Sequence, residues 1–427
     1  MTVAILFGAF FVFMFIGVPI ALSLGLASLI TMVFATNSSP SVIIQKAFSS
    51  LDSFPLMAIP FFILAGVLMS HGGISRRLLK LAKVLIGFIS GGLAMVTVLA
   101  SMFFAAISGS GPATVAAIGS FMIPSMKENK YNSGFAAAIT ASAGSIGVLI
   151  PPSIPFVMYG VVGTVSIGAM FLAGIIPGII LGVALMVSSY VTAKKNGYQG
   201  TGEVPTFKDV LNALNDAKLA LLIPIIILGG IYAGIFSPTE SAAVASVYAL
   251  FIGVFVYKEL SWKSVYESFS SAALTNAATV IIIGFSISFA YLMTRERIPI
   301  IVADFIVSIS ENPIVIILII NLFLLVVGMF IDTISAIVIL TPILLPVVTN
   351  IGIDPIHFGV ILVMNLAIGF VTPPLGVNLF VASTVGKVSF ESIVKAMIPI
   401  FITMIIALLI VIYFPPLSTG LPNLVSP

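Results

Sequence analysis

Long stretches of this chain are apolar with hardly a charge among them, and its polar residues collect in short breaks. The first charged residue is Lys46. About 20 apolar residues are needed to cross a bilayer as a helix, whereas barrel strands alternate over about ten, so the stretches predict membrane helices. The predicted segments are 3–34 as one long helix, 55–70, an amphipathic piece at 74–88 carrying Arg76, Arg77, Lys80 and Lys83, then 93–126, 132–163 and 168–193. A polar connector at 194–217, containing "KKNGYQGTGEVPTFKD", divides the chain. Beyond it come 218–236, 238–257, 274–293, a short amphipathic piece near 298–309, and lastly 313–346, 356–384 and 396–414.

Two of these segments are broken inside. "AISGSGPATVAAIG" (106–119) lies between Lys83 and Lys127 with no charge near it. Gly and Pro interrupt helices, and an interrupted helix in lipid leaves backbone groups to be satisfied. The limb after the break, Ala113 to Met126, spans only roughly 21 Å against about 30 Å of hydrocarbon. Both flanks are basic, so the segment predicts a hairpin that enters and leaves on one face. The second half repeats the plan. Residues 313–331 are uncharged, Asp332 and Thr333 sit at a break, and Ile334 to Leu345 form a short limb ending at Pro346. Each hairpin is followed by a double-proline break, "GVLIPPS" (147–153) and "GFVTPPL" (369–375). One constant offset superposes Pro124 on Pro346, Gly147 on Gly369, Pro151-Pro152 on Pro373-Pro374, and Ser110 on Asp332.

Composition agrees with the pattern. Of 427 residues 60% are hydrophobic and 7% charged, with mean hydropathy +1.28; a soluble domain is nearer one quarter charged. The net charge of +3 comes from residues scattered between spans, which gives no basic patch and hence no nucleic-acid partner. There is no Cys, so there is no disulfide, thiolate metal site or Cys nucleophile. The apolar N-terminal run lacks the basic n-region of a signal peptide and reads as a retained helix.

Cytoplasmic loops carry the excess of Lys and Arg. With the N-terminus inside and both hairpins re-entrant, the outer side keeps only Lys46, Arg295 and Arg297 of 17 basic residues. The two repeats are then inverted and the C-terminus is periplasmic. The fold class is an all-α polytopic membrane protein with inverted repeats, each a re-entrant hairpin plus a broken double-Pro helix. The expected division is scaffold at 1–92, first transport repeat at 93–193, connector at 194–217, scaffold at 218–310 and second transport repeat at 311–427.

Inverted repeats with paired broken helices are the pattern of secondary transporters. Free carbonyls at a broken helix end can hold a cation, and N–H groups opening the next limb favour an anion. Ser110 suits a cap and Pro112 a first turn. Two oxygen-rich cages follow, one from Ser108, Ser110, Gly144, Gly147 and Pro151, the other from Gly328, Asp332, Gly369, Thr372 and Pro374. Oxygen ligands without a carboxylate cluster favour Na⁺ over Ca²⁺. The plainer readings are a small-residue packing surface for the Ser/Gly cluster and a satisfied structural acid for Asp332. Two matched clusters, and the cost of about 2.5–3.5 kcal/mol for an acid at mid-bilayer, favour function. Glu240 reads as a helix-start acid, His71 and His357 as interfacial residues, and Asn37-Ser38-Ser39 as a glycosylation sequon by pattern only.

"SGSGPATVAAIG" with "GSIGVLIPPS", "GMFIDTISAIVILTPILLP" with "GFVTPPLGVNLF", and "SPTESAA" together resemble the large membrane subunit of TRAP transporters (tripartite ATP-independent periplasmic transporters). The resemblance covers nearly the whole chain. It implies a bacterial inner-membrane permease paired with a separate small four-helix membrane subunit. A periplasmic binding protein would deliver a carboxylate-bearing solute, with sialic acid favoured only by general likeness, and Na⁺ would drive uptake by an elevator motion. No organic cofactor is implied. Candidate solute ligands are Ser110, Gly111, Pro112, Ser153, Thr333 and Asn378. Arg295, Arg297 and Asp304, beside Glu296 and Glu311 on the charge-poor outer face, are candidates for docking the binding protein.

Competing readings are a stand-alone Na⁺/dicarboxylate symporter, whose hairpin tips typically read Ser-Asn-Thr, and a passive anion channel. An intramembrane serine protease built on Ser110 would need a base within reach.

Overall fold

The computed structural model describes residues 2–36, 39–200, 202, 204–309 and 312–425; the sequon at Asn37-Ser38 and Glu311 lie outside the described residues. The described residues form helices and no strand. The chain opens with α1 (Thr2–Phe15), α2 (Ile20–Ala35), α3 (Ser41–Leu51), α4 (Ala58–His71) and the amphipathic α5 (Ile74–Ile86). The expected single helix at 3–34 is therefore two. Gly17 takes φ +87 and Pro19 lacks an N–H, so the helix stops and restarts. α1 and α2 lie side by side as an antiparallel pair. That break changes which face the chain starts on.

The first repeat is α6 (Gly92–Ser108), α7 (Gly111–Glu128), α8 (Ser133–Ser145), a break at 149–153, α9 (Ile154–Val162) and α10 (Ile167–Asn196). α11 (Phe207–Tyr232), α12 (Pro238–Phe251), α13 (Trp262–Arg295) and α14 (Ile298–Ile309) follow. The second repeat is α15 (Pro313–Phe330), α16 (Thr333–Asn350), α17 (Pro355–Gly369), a break at 370–376, α18 (Val377–Gly386), α19 (Phe390–Tyr413) and α20 (Pro416–Val425).

Several helices outrun their apolar segments. α11 begins inside the expected connector because Thr206 and Asp209 close a capping box, the Thr206 N–H donating to Asp209 Oδ2 at 2.9 Å. α13 begins at Trp262 rather than 274; its Ser/Thr-rich first third is helical but not lipid-like. α7 has 18 residues, roughly 27 Å instead of 21 Å, because it starts at Gly111, on the Ser110 cap, and runs on to Glu128. Glu240 caps α12 as expected, accepting from the Ser237 N–H at 2.8 Å.

Both hairpins return to the face they leave. The N–H of Gly91, before α6, donates to Tyr198 O at 3.1 Å, and that of Asn132, after α7, donates to Tyr198 Oη at 3.0 Å. Tyr131 stacks on the same ring at 4.2 Å. Pro313, opening α15, and Gly352, just past α16, line one surface cavity. The first limbs of the broken helices, α8 and α17, are buried along almost their whole length. Each is gripped by its own hairpin, α8 by α6 and α7, α17 by α15 and α16. The Ala-rich run of α8 permits close approach. The second limbs cross over: α9 packs on α16, and α18 packs on α7 and α8. α4, α12 and α13 pack together beside this block, with α13 touching α16.

The basic residues sort by face. Arg77 bonds Glu259 at 2.7 Å and reaches Asp216 at 3.5 Å; Lys80 reaches Asp216 at 3.0 Å; Lys127 donates to Gly386 O at 3.3 Å. On the other face Lys46 sits 5.0 Å over the Tyr291 ring. Val3 shares an apolar cavity with Ile298 and Val302 of α14 and Ile343 of α16. The chain therefore begins on the α14 face. One crossing helix would have separated Val3 from α14; the break at Gly17–Pro19 brings them together. His357, in the first turn of α17, is packed inside the protein. It is 3% exposed, and its Nδ1 and Nε2 meet Ser418 Oγ at 2.6 Å and Ile412 O at 3.1 Å, tying α17 to α20 and α19.

Candidate functional site

At the first tip α6 ends on Gly109 in the left-handed region (φ +59). A side chain there would put its Cβ 2.8 Å from Pro152 O, so Gly is required both for the turn and for the approach of the double-proline break. The Ile154 N–H donates to Gly109 O at 3.4 Å, fastening tip to break. Ser110 is the N-cap of α7, its Oγ accepting from the Ala113 N–H at 3.5 Å. Thr114 Oγ1 donates to Ser110 O at 2.8 Å and lies 3.0 Å from Ser108 Oγ. A Cβ on Gly147 would stand 2.6 Å from Ser110 O and 2.7 Å from Thr114 Oγ1. Ser108, Ser110 and Thr114 thus form one compact oxygen cluster packed against Gly147. A Cβ on Gly144 would meet Val115, Gly111 O and the Asn378 amide together. Pro151 is buried in the break behind the tip.

At the second tip Asp332 caps α16, one carboxylate oxygen accepting from the N–H groups of Ile334 at 3.0 Å and Ser335 at 3.1 Å. Ser110 and Asp332, superposed in the sequence, share the same structural place. Gly328 and Gly369 meet backbone to backbone, with no room for a Cβ on Gly369. Thr372 Oγ1 donates to Ile368 O at 2.8 Å. Thr333 and Ser335 carry buried hydroxyls with no partner among the described residues. Pro374 closes the double-proline break, and both double prolines have a cis bond. No group of three or more His, Cys, Asp or Glu side chains converges among the described residues.

A cavity of about 570 Å³ runs between the first hairpin and helices α4 and α13. It starts at Ser108 and Ser110, follows Ala113, Ala117 and Ser120 down α7, and ends among Ser70, His71 and Ser75 on the Arg77 face. Ser271, Thr275 and Thr279 line its α13 wall.

Of the candidate solute ligands, Ser110 lies in this cavity and Pro112 is half-buried beside it. Gly111 is buried behind the tip. Ser153 is fully buried and occupied, its Oγ donating to Val148 O at 2.6 Å. Asn378 is fully buried and donates to Ala141 O at 3.0 Å. Thr333 is buried at the second tip, with its neighbour Ile334 lining the cavity. Arg295 ends α13, Arg297 takes φ +55 before α14, and Asp304 is exposed on α14. Sequence reasoning missed Thr114, one helical turn from Ser110, and the ladder Ser271, Thr275, Thr279 at i, i+4 spacing. Ser110 Oγ bonds backbone, and no imidazole reaches it among the described residues.

Paired re-entrant hairpins, each set against a broken helix beside a hydroxyl-lined cavity, define a polytopic membrane permease rather than an enzyme. Two solved transporters share this fold. The YdaH transporter of Alcanivorax borkumensis aligns with TM-score 0.66 at 11% identity over 89% of this chain and 90% of its own. MtrF of Neisseria gonorrhoeae aligns at 0.58, with 12% identity over 87% and 83%. The family model for the tripartite ATP-independent periplasmic transporter, DctM component, matches residues 7–417. The chain belongs to that family, as a large permease component. It is 52% identical to an isethionate TRAP transporter permease of Oleidesulfovibrio alaskensis over 96% of this chain, spanning 65% of that protein's length. It is 41% identical to the sialic acid TRAP large permease of Vibrio cholerae, over 96% of both chains. The C4-dicarboxylate large permease of the same organism is 41% identical over 99% of this chain and 98% of its own.

Proposed function

We propose that this permease takes up a small organic anion, delivered by a periplasmic binding protein, by Na⁺-coupled elevator transport together with a small membrane subunit. The observation that carries the reading is the oxygen cluster of Ser108, Ser110 and Thr114, set against Gly147, at the head of a cavity that runs to Ser70, His71 and Ser75. Carbonyl and hydroxyl donors without a carboxylate cluster suit a monovalent cation. Gly144 and Pro151 complete the first cation site; Gly328, Asp332, Gly369, Thr372 and Pro374 frame the second. N–H groups opening α7 face the anion. The relative named for isethionate moves the preferred solute from sialic acid to a smaller acid, sulfonate or carboxylate.

Lys and Arg bias puts the Arg77 face in the cytoplasm. Both termini are then periplasmic, and the cavity faces inward. The hairpins and broken helices move as the transport block, against a scaffold of α1–α5 and α11–α14. Uptake of radiolabelled isethionate, succinate and sialic acid into proteoliposomes holding this chain, a cognate small subunit and a binding protein is the test. Uptake without a Na⁺ gradient, or by this chain alone, overturns the reading in favour of a channel or a stand-alone symporter.

Motion gives a separate expectation. Ala113 lines the cavity and the chain has no Cys. Ala113→Cys should react with impermeant thiol reagents from the cytoplasmic side at rest and from the periplasmic side under Na⁺ and solute. Labelling from the cytoplasm alone in every condition would sink the moving block.

Docking is expected at the outer loop. Reversing Arg295 and Arg297 to Glu should raise the binding-protein concentration for half-maximal uptake about tenfold at low salt, an effect that shrinks as salt screens the encounter. An unchanged binding-protein titration would leave both residues with local roles only.

A further inference from the structure

We infer that the corner between α4 and α5 is a second anion subsite, at the cytoplasmic mouth of the cavity, formed by His71, Ser75 and the first-turn N–H groups of α5. The inference rests on the reading that an organic anion leaves through this cavity. Three independent features meet there. His71 is the one titratable side chain among the cavity-lining residues. Its Nδ1 lies 3.1 Å from Val67 O, which can only accept, so Nδ1 carries the hydrogen; Ser268 Oγ stands 3.2 Å away. Nε2 has no hydrogen bond to the described residues, and the side chain is exposed. Ser75 also lines the cavity, is 3% exposed, and has an Oγ with no partner among the described residues. α5 starts from Gly73 at φ +76 without a side-chain cap, which leaves its opening N–H groups available. An imidazolium, a hydroxyl and helix-opening N–H groups are complementary to a carboxylate or sulfonate.

The charges facing this corner are otherwise paired. Glu259 abuts Gly73 but is held by Arg77 at 2.7 Å, with Arg76 at 3.9 Å. Lys263 and Glu267 on α13 pair at 3.9 Å. α4 carries no other charge. Histidine is the side chain that changes charge between about pH 5 and 8, and His71 is the one that faces this cavity. An anion released from the tip is caught at the mouth when the imidazole is charged and let go when it is neutral.

The test uses Thr275→Cys, on the opposite wall of the same cavity, in the full chain. Its modification rates by an anionic sulfonatoethyl and a cationic trimethylammonioethyl methanethiosulfonate are compared at pH 6 and pH 8. The thiolate fraction cancels in the anion-to-cation ratio. That ratio should rise about threefold or more on acidification, stay flat after His71→Ala and His71→Gln, and fall at both pH values after Ser75→Ala. The same rise in both His71 variants overturns the inference. A second readout separates it from the transport reading. In proteoliposomes with partner proteins, His71→Ala should raise the internal solute concentration for half-maximal exchange while leaving external uptake affinity unchanged. Wild-type exchange with an unaltered internal constant in the variant refutes the subsite alone; absence of Na⁺-driven uptake by the wild type refutes the transport reading.

Discussion

Gly147→Ala and Gly369→Ala are each expected to lower solute uptake by about 100-fold or more, with the protein still inserted and monodisperse. At Gly147 the added Cβ would stand 2.6 Å from the Ser110 carbonyl oxygen, and at Gly369 it would collide with the Gly328 backbone. Neither neighbour is the end of a flexible side chain, so the hairpin tip must move. Over-packing of this kind costs about 1–3 kcal/mol, which a chain of this size survives. The tip geometry does not survive it, because displacements on the order of 1 Å at a site of fixed ligands cost on the order of 100-fold. Gly229→Ala supplies the control, since no atom lies within 4 Å of a Cβ there. Wild-type uptake in either test variant, measured beside that control, would mean that the glycine contacts do not shape the site.

Asp332→Asn should raise the Na⁺ concentration for half-maximal uptake at least tenfold with almost no loss of thermal stability. The carboxylate accepts from two opening N–H groups of α16, and Asn caps nearly as well as Asp. The substitution therefore separates charge from capping. Asp332→Ala removes both and adds a capping loss of about 1 kcal/mol. Thr372→Ala should have a smaller effect, because its hydroxyl already serves the Ile368 carbonyl. An unaltered Na⁺ activation curve in Asp332→Asn would reduce this residue to a helix cap and move the second cation elsewhere.

The breaks were the most legible part of the chain. Gly109, Pro112, the double prolines and Asp332 interrupt otherwise uniform apolar sequence, and interruption in lipid demands a compensating partner. The facing pairs Gly109–Pro152 and Gly328–Gly369 follow that logic, although their contacts appear only in the fold. What escaped was of two kinds. Apolar length merges two helices when the turn between them is itself apolar, as at Ile16–Gly17–Val18, so α1 and α2 read as one and the starting face was reversed. Polar helices hide in the same measure. The first third of α13 and the start of α11 carry too many hydroxyls and charges to read as spans, yet capping and i, i+4 spacing hold them helical. The cavity wall at Ser271, Thr275 and Thr279 sits in that hidden stretch. Its stripe was present in the sequence, but only the packing of α13 on α4, across the cavity from the first hairpin, gives it a face.

The crossing of the distal limbs has a consequence for how the chain is made. α9 ends at Val162 and packs on α16, which begins at Thr333. At about 5–20 residues per second the ribosome needs roughly 10–30 s to supply that partner. During this interval the α16-facing side of α9 and the α18-facing side of α7 have only lipid or the translocation machinery against them. Biogenesis thus passes through a half-built species that must neither aggregate nor be degraded. The molecule closes only when its second half, inserted upside down relative to the first, slots its limbs between those already waiting.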